Sequence, residues 1–310
     1  MKISIIGIGS VGGAIATAAH NTGLVHEMVL LDRDTIRARA AADDLGHAAA
    51  FGFDVKITAA SSYRDIRGSD IVIIAAGANQ KPGQTRTDLL AANAAVITDV
   101  VPNVMKHVDP KRVILIMVTN PLDVMVTLAQ KLSGLPAARV IGTGTMLDSA
   151  RFRTILSRMM TVSPASIDAF VLGEHGDSSV LNWSSATVGG LMLDDFAKQV
   201  GAPISAATRK TIEYRVHNAA YEIIMGRGAT WDGIGAAAAD LIRAIANDEK
   251  RVLTVSSNAD RAIAMSLPRV VGAAGVIATL TPKMNAVESA ALKKSAAVIG
   301  ASWKKISGNK

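Results

Sequence analysis

Along the first half of the chain, apolar positions gather in short blocks. Such blocks stand at Lys2 to Ile6, Glu27 to Leu31, Val55 to Ala59, Ile71 to Ala75 and Val113 to Val118. Runs of this length predict strands, and the continuously apolar Ile71 to Ala75 fits a strand covered on both faces, as in a parallel sheet. The segments between them predict helices: Gly13 to His20, Asp34 to Gly46 with Asp34 or Thr35 as cap, and Thr87 to His107, ending before Asp109-Pro110. A further helix, Asp123 to Leu132, is stopped by Ser133-Gly134, and a short strand, Val140 to Gly142, follows. Strand and helix alternating over about 140 residues predict a doubly wound parallel sheet.

The pattern then changes. After a helix beginning near Leu147, Ala169 to Leu172 reads as a strand and Asn182 to Val188 alternates loosely. Ser205 to Met225 predicts a long amphipathic helix, and Gly228-Ala229-Thr230-Trp231 separates it from a second, Ile234 to Ala246. Strands are expected at Val252 to Ser256, Ala262 to Ser266 and Val276 to Leu280, and a last helix from about Asn285 to Ile306. This half reads as α+β with antiparallel strands. The expected division is residues 1–145 and 146–310, with a change of topology and no flexible tether between them.

Composition narrows the class. Of 310 residues, 49% are apolar, which indicates a globular chain, and no apolar run approaches the ~20 residues of a bilayer span. The first strand begins at once, with no charged-then-apolar leader ahead of it. There are no cysteines. Disulfides, a thiol nucleophile and cysteine-ligated metal are thereby excluded, and a cytoplasmic setting is expected. The net charge of +7 is scattered, and only 4% of residues are aromatic, so stacking platforms for nucleic acid are scarce. Acidic small molecules suit this balance better, and neither nucleic acid nor membrane is expected as a partner.

Gly7-Ile8-Gly9-Ser10-Val11-Gly12 joins the first strand to the first helix. The glycines turn the chain, admit a pyrophosphate to the backbone and let helix pack on strand, while the helix N-terminus supplies N–H donors. The second strand ends in Asp32, an acid placed to accept hydrogen bonds from the ribose hydroxyls of NAD and to repel the extra phosphate of NADP. Arg33 beside it leaves room for NADP. A second feature is Gly173-Glu174-His175-Gly176-Asp177-Ser178, a histidine between two glycines at a strand's end. Its ordinary pKa suits it to give or take a proton near neutrality. Alone, it would read as a turn histidine. Asp148 and Arg151, three residues apart, share a helix face; alone, they would read as a surface ion pair. Gly77 to Arg86 is a polar loop with glycine hinges. His175 and Asp177 lack a third partner for a metal, so none is expected. His20, His26, His47, His107 and His217 take structural readings.

Together these motifs resemble the L-lactate and malate dehydrogenase family over essentially the whole chain. GIGSVG at Gly7, GANQKPGQTR at Gly77, TNPLD at Thr119, LDSARFR at Leu147 and GEHGDS at Gly173 appear in family order. The resemblance implies a Rossmann-type NAD-binding domain followed by an α+β substrate domain. It implies NAD held by Gly7, Gly9, Ser10, Val11, Gly12, Asp32, Ala76 and Gly77, with Asn120 and Ile234 near the nicotinamide. His175 would exchange a proton with the substrate's C2 oxygen, and Asp148 would orient its ring. Arg151 would grip the substrate carboxylate as a fork, which lysine does not reproduce. Arg86, on a closing loop, would polarise the carbonyl. Asn120 would bond near the substrate oxygen, and Thr230 would form pocket wall.

Gln80 decides the expected substrate. Malate dehydrogenases usually place an arginine there against a second carboxylate, whereas a neutral side chain leaves that carboxylate unpaired. The expectation is an L-lactate dehydrogenase interconverting pyruvate and L-lactate. Lys81, next to Gln80, keeps malate dehydrogenase open, and a broader L-2-hydroxy acid dehydrogenase is also an alternative. An NAD-dependent glycosidase is disfavoured by the missing cysteines, and a non-enzymatic NAD-binding protein by the intact Asp148, Arg151 and His175. A homo-oligomer is expected, with a tetramer favoured over a dimer. Many bacterial relatives are activated by fructose 1,6-bisphosphate through an arginine and a histidine. Arg153 matches the arginine, but Asp168 replaces the histidine, so little or no activation is expected.

Overall fold

The apolar-rich blocks form parallel strands: β1 (Lys2–Ile6), β2 (Glu27–Leu31), β3 (Lys56–Ala59), β4 (Ile71–Ile74), β5 (Ile114–Met117) and the short β6 (Val140–Gly142). A computed structural model describes residues 1–78 and 86–308, the side chains of residues 86 and 87 excepted. Helices α1 (Ser10–His20), α2 (Thr35–His47), α3 (Arg86–Met105) and α4 (Leu122–Ser133) connect the strands. The strand order β3-β2-β1-β4-β5-β6 is that of a doubly wound sheet. Because side chains alternate along a strand, the sheet feeds two cores. Ile3, Ile5, Ile71, Ile73, Ile114 and Ile116 pack on one face with Ile15 of α1. Val72, Ile74, Leu115 and Met117 pack on the other with Ile97 and Val101 of α3 and Met125 of α4. The Asp88–Met105 segment of α3 is long and apolar enough for a bilayer span by composition. Its Leu90, Ile97, Val100, Val101 and Val104 are instead buried in the core under the sheet.

The second half contains α5 (Met146–Met160), β7 (Ile167–Leu172), β8 (Val180–Val188), β9 (Leu191–Met192), α6 (Leu193–Gln199), α7 (Ala206–Arg227) and α8 (Asp232–Ala246). These are followed by β10 (Arg251–Ser257), β11 (Met265–Gly272), β12 (Gly275–Thr279) and α9 (Ala286–Ser307). Strands β7, β8 and β9 make a small antiparallel sheet. Its core holds Phe152, Leu156, Trp183, Val188 and Ile212, with the Phe152 and Trp183 rings edge to face at 4.7 Å. The N-terminal half of α7 reaches this core through Ile212 and Val216, while Tyr221, Ile223, Ile224 and Met225 near its other end are exposed.

The three last strands are antiparallel, as the sequence suggests, but they do not form a sheet of their own. β10 pairs with β6 at Ser256 and Gly142, so β10, β11 and β12 extend the parallel sheet to nine strands among the described residues. This covers the backbone edge that β6 would otherwise expose. β11 also starts at Met265, later than the pattern around Ala262 suggests. It carries Pro268 and Arg269, which mask its strand character. Arg269 is fully buried. Its Nη1 donates to the carbonyls of Val255 (2.6 Å) and Met265 (2.8 Å), and its Nη2 to the Ser257 carbonyl (3.0 Å) and Asp260 Oδ1 (2.7 Å). The guanidinium thus closes the β10–β11 turn from within.

Arg269→Met removes one member of this buried network: three carbonyls lose the Arg269 donor, and the Asp260 carboxylate keeps only its bonds from Arg261. The expected loss is about 3 kcal/mol or more of unfolding free energy, read by urea denaturation at fixed protein concentration. A loss below about 1 kcal/mol would show that the network contributes little.

Candidate active site and cofactor cleft

The glycine loop after β1 is fixed by close backbone approaches. Gly7 has φ +94°, and a Cβ there would lie 2.4 Å from the Ala76 amide nitrogen. A Cβ on Gly12 would lie 1.9 Å from the Gly7 carbonyl oxygen, so α1 presses directly on the turn. At Gly9, by contrast, a Cβ would meet nothing within 4 Å. Gly9 is also the N-cap of α1 and supplies no side-chain capping bond, so the first-turn N–H groups at Ser10, Val11 and Gly12 have no side-chain acceptor from the cap. Asp32, at the end of β2, accepts from the Ile8 amide at 2.6 Å and from the Asp34 amide at 2.9 Å. The carboxylate is thereby set beside the loop. Open space over Gly9, uncapped helical donors and an adjacent acid fit the pyrophosphate and ribose of a dinucleotide.

The loops after β4 and β5 border the same side of the sheet. Thr119 Oγ1 donates to the Ala76 carbonyl at 2.7 Å. Asn93, a buried polar residue in the apolar α3, accepts from the Ala78 amide at 2.7 Å and donates to the Asn120 carbonyl at 2.7 Å. It ties Gly77-Ala78 to Asn120, a role the motif reading missed; an asparagine within an apolar helix was the available signal. Ile234 lies half-buried on α8, whose Gly235 would bring a Cβ to 2.9 Å from the Ala14 carbonyl of α1. Thr230 is half-buried between α7 and α8. Gln80 and its neighbour Lys81 lie outside the described residues, and Arg86 is described only as the first backbone position of α3.

The histidine loop joins β7 to β8. Gly173, at φ +93°, exchanges backbone hydrogen bonds with Ser266 of β11, and a Cβ there would lie 2.4 Å from Ser295 Oγ. Ser295 of α9 accepts the Glu174 amide at 2.8 Å. Asp123, at the start of α4, accepts the His175 amide at 2.8 Å through Oδ2 and the Ser256 hydroxyl at 2.6 Å through Oδ1. Three elements thus hold this loop through its backbone, which leaves the imidazole to other partners.

Those partners come from α5. His175 Nδ1 lies 2.7 Å from Asp148 Oδ2, and Arg151 Nη1 donates to Asp148 Oδ1 at 2.9 Å. One carboxylate therefore serves both residues. The Asp148 and Arg151 side chains are largely buried, and that of His175 is 26% exposed. Burial alone would lower the imidazole pKa, but the charge and hydrogen bond of Asp148, followed by the Asp123 charge, raise it above its ordinary value. Burial would likewise raise Asp148, yet His175 and Arg151 hold it below the usual carboxylate range. Asp123 behaves differently: burial pushes it up to about 6, against the bonds from Ser256 and His175. With Nδ1 committed to Asp148, the Nε2 of His175 has no hydrogen-bond partner among the described residues, an arrangement suited to general acid–base chemistry.

A cavity of about 680 Å³ opens behind this loop, between β8, α7 and α9. In its lining, Arg209 pairs with Asp194, and Glu213 accepts from Trp183. Arg153 and Asp168 do come near one another, and the Asp168 charge acts on the half-buried guanidinium.

Residues 1–142 match the lactate/malate dehydrogenase NAD-binding domain, and residues 145–308 match the lactate/malate dehydrogenase α/β C-terminal domain. The L-lactate dehydrogenase of Thermus aquaticus is 48% identical over 304 residues, which is 96% of this chain and 97% of that protein. The L-lactate dehydrogenase of Allorhizobium ampelinum is 45% identical with the same coverage. Among solved structures, a lactate dehydrogenase from a Medee basin deep-sea metagenome library superposes with a TM-score of 0.94 at 38% identity, covering 99% of this chain and 98% of that one. The minor L-lactate dehydrogenase of Enterococcus mundtii, in a ligand-bound form, gives a TM-score of 0.93 at 36% identity, covering 98% of both chains. With its NAD-binding sheet, its α/β C-terminal half and both family domains matched in order, the chain belongs to the lactate/malate dehydrogenase family, NAD-dependent oxidoreductases acting on a CH–OH group.

Proposed function

We propose that this enzyme is an L-lactate dehydrogenase, reducing pyruvate to L-lactate and running reversibly. The observation that carries the reading is the Asp148 carboxylate held between His175 and Arg151, which puts a proton donor and a carboxylate-binding fork at one place. The relatives described above are named lactate dehydrogenases, which supports pyruvate over oxaloacetate. The neutral Gln80 points the same way, since a second substrate carboxylate beside it would lack a partner.

NADH, when bound, supplies the hydride that reaches C2 of the keto acid. Gly7, Gly9, Ser10, Val11 and Gly12 would hold its pyrophosphate, Asp32 its ribose hydroxyls, and Ala76, Gly77, Asn120 and Ile234 would flank its nicotinamide end. His175 donates the Nε2 proton to the C2 oxygen as charge develops there, and Asp148 stabilises and orients the imidazolium. Arg151 turns its remaining N–H groups to the substrate carboxylate. Arg86 and Asn120 would add donors to the C2 oxygen, and Thr230 would close the pocket beside the methyl group.

We further propose that the chain works as a cytoplasmic homo-oligomer, with a tetramer favoured, and that its functional division falls near residue 145. Neither nucleic acid nor membrane enters this reading. The absence of cysteine and the exposed apolar end of α7 support the first part.

The direct test is NADH oxidation at 340 nm with pyruvate and oxaloacetate in parallel. A large preference for pyruvate in kcat/KM is expected, falling as pH rises through the raised pKa of His175, because reduction consumes its protonated form. A preference for oxaloacetate would make the enzyme a malate dehydrogenase. Fructose 1,6-bisphosphate at sub-millimolar concentration should leave the pyruvate rate nearly unchanged, since the Asp168 carboxylate beside Arg153 repels phosphate. Activation of more than several-fold would contradict this.

A further inference from the structure

The geometry points to Asp123 as a positioning residue for His175, anchoring the histidine's backbone and setting a second negative charge against the protonated imidazole. The inference rests on the dehydrogenase reading and extends it. Asp123 lies in the first turn of α4 and is 3% exposed. Its two oxygens divide their work: Oδ2 takes the His175 amide and Oδ1 takes the Ser256 hydroxyl from β10.

A neutral amide would satisfy both donors. Its oxygen would accept from the His175 N–H, and its NH2 would donate to the Ser256 oxygen. The hydrogen bonds therefore do not explain why an ionisable group is buried here at the expense of desolvation. Its charge does. The charges facing Asp123 are those of His175 and Glu174 on the loop and, from β11, Arg269, whose guanidinium is already bound to Asp260 and three carbonyls. The charges facing His175 are Asp148, Asp123 and Arg151. Arg151 opposes the imidazolium, and Asp123 offsets it. Asp148 orients the ring through Nδ1, while Asp123 holds the backbone of the same residue. Fixing both ends of one side chain confines where Nε2 can point.

The same carboxylate makes the anchor sensitive to acid. Its pKa near 6 is above that of an ordinary aspartate, so the charge is present at neutral pH and is lost as pH falls through that value. The pyruvate rate then has two limbs. On the alkaline side, His175 loses its proton. On the acid side, Asp123 gains one, and the loop loses its charged anchor.

The experiment compares pH profiles of kcat/KM for pyruvate reduction in wild type and Asp123→Asn, with NADH affinity measured by fluorescence. The expected result is an alkaline limb moved down by about half a pH unit or more, with the NADH Kd within about twofold of wild type. An unmoved alkaline limb in a folded variant would overturn the inference, because it would leave Asp123 with a hydrogen-bonding role only. Should Asp123→Asn fail to fold, Ser256→Ala supplies the second reading. It removes a donor that stabilises the charged carboxylate, so the acid limb should move to higher pH; an unmoved acid limb would overturn the inference. Absence of 2-keto acid turnover by the wild-type enzyme would remove the functional reading and this inference with it. Normal wild-type turnover with unmoved limbs in the variants would remove this inference alone.

Discussion

The site depends on a single carboxylate shared between two cations of different purpose. Asp148 meets the His175 ring through one oxygen and the Arg151 guanidinium through the other. Neither contact is possible unless α5 presents residues 148 and 151 on one face and the histidine loop comes down on that face. Both partners hold Asp148 below the usual carboxylate range despite its burial, and Asp148 in return raises the imidazole above its ordinary pKa. The imidazole and the guanidinium are thereby fixed relative to one another.

The rest of the fold serves this meeting. The histidine loop is held by three elements distant in sequence: Ser266 of β11 at Gly173, Ser295 of α9 at Glu174, and Asp123 of α4 at His175. Each takes a backbone group of the loop. α4 follows β5 of the parallel sheet, and β11 belongs to the antiparallel extension beyond β6. The joining of the two halves into one nine-stranded sheet therefore brings the loop over α5. On the other side of the same sheet order, the glycine loop and Asp32 form at the ends of β1 and β2, where a doubly wound sheet opens its crevice.

Much of this was legible in the sequence. Strands β4 and β5 could be read because burial on both faces requires unbroken apolar blocks, whereas β3 alternates polar and apolar residues and is only partly buried. The glycine loop could be read because close approaches at Gly7 and Gly12 leave no room for a side chain. His175, Asp148 and Arg151 stood out through motif and spacing, although nothing local places residues 148 and 175 within hydrogen-bonding distance. β11 was harder, since Pro268 and a buried Arg269 interrupt its apolar pattern, and α6 is too short to show helical periodicity. Asn93 left one signal, an asparagine within an apolar helix, whereas Ser256, Ser295 and the role of Asp123 were not legible. Their work is to satisfy backbone groups of distant segments, and such pairings leave no periodic trace in sequence.

The central claim is that the Asp148 carboxylate makes His175 a proton donor. The measurement that meets it most directly is single-turnover pyruvate reduction by Asp148→Asn, alongside NADH binding to the same variant. The account predicts a rate lowered by at least about a hundredfold, with the NADH Kd within about threefold of wild type. A rate within a few-fold of wild type would contradict it and would leave the Asp148–His175 contact as scaffolding.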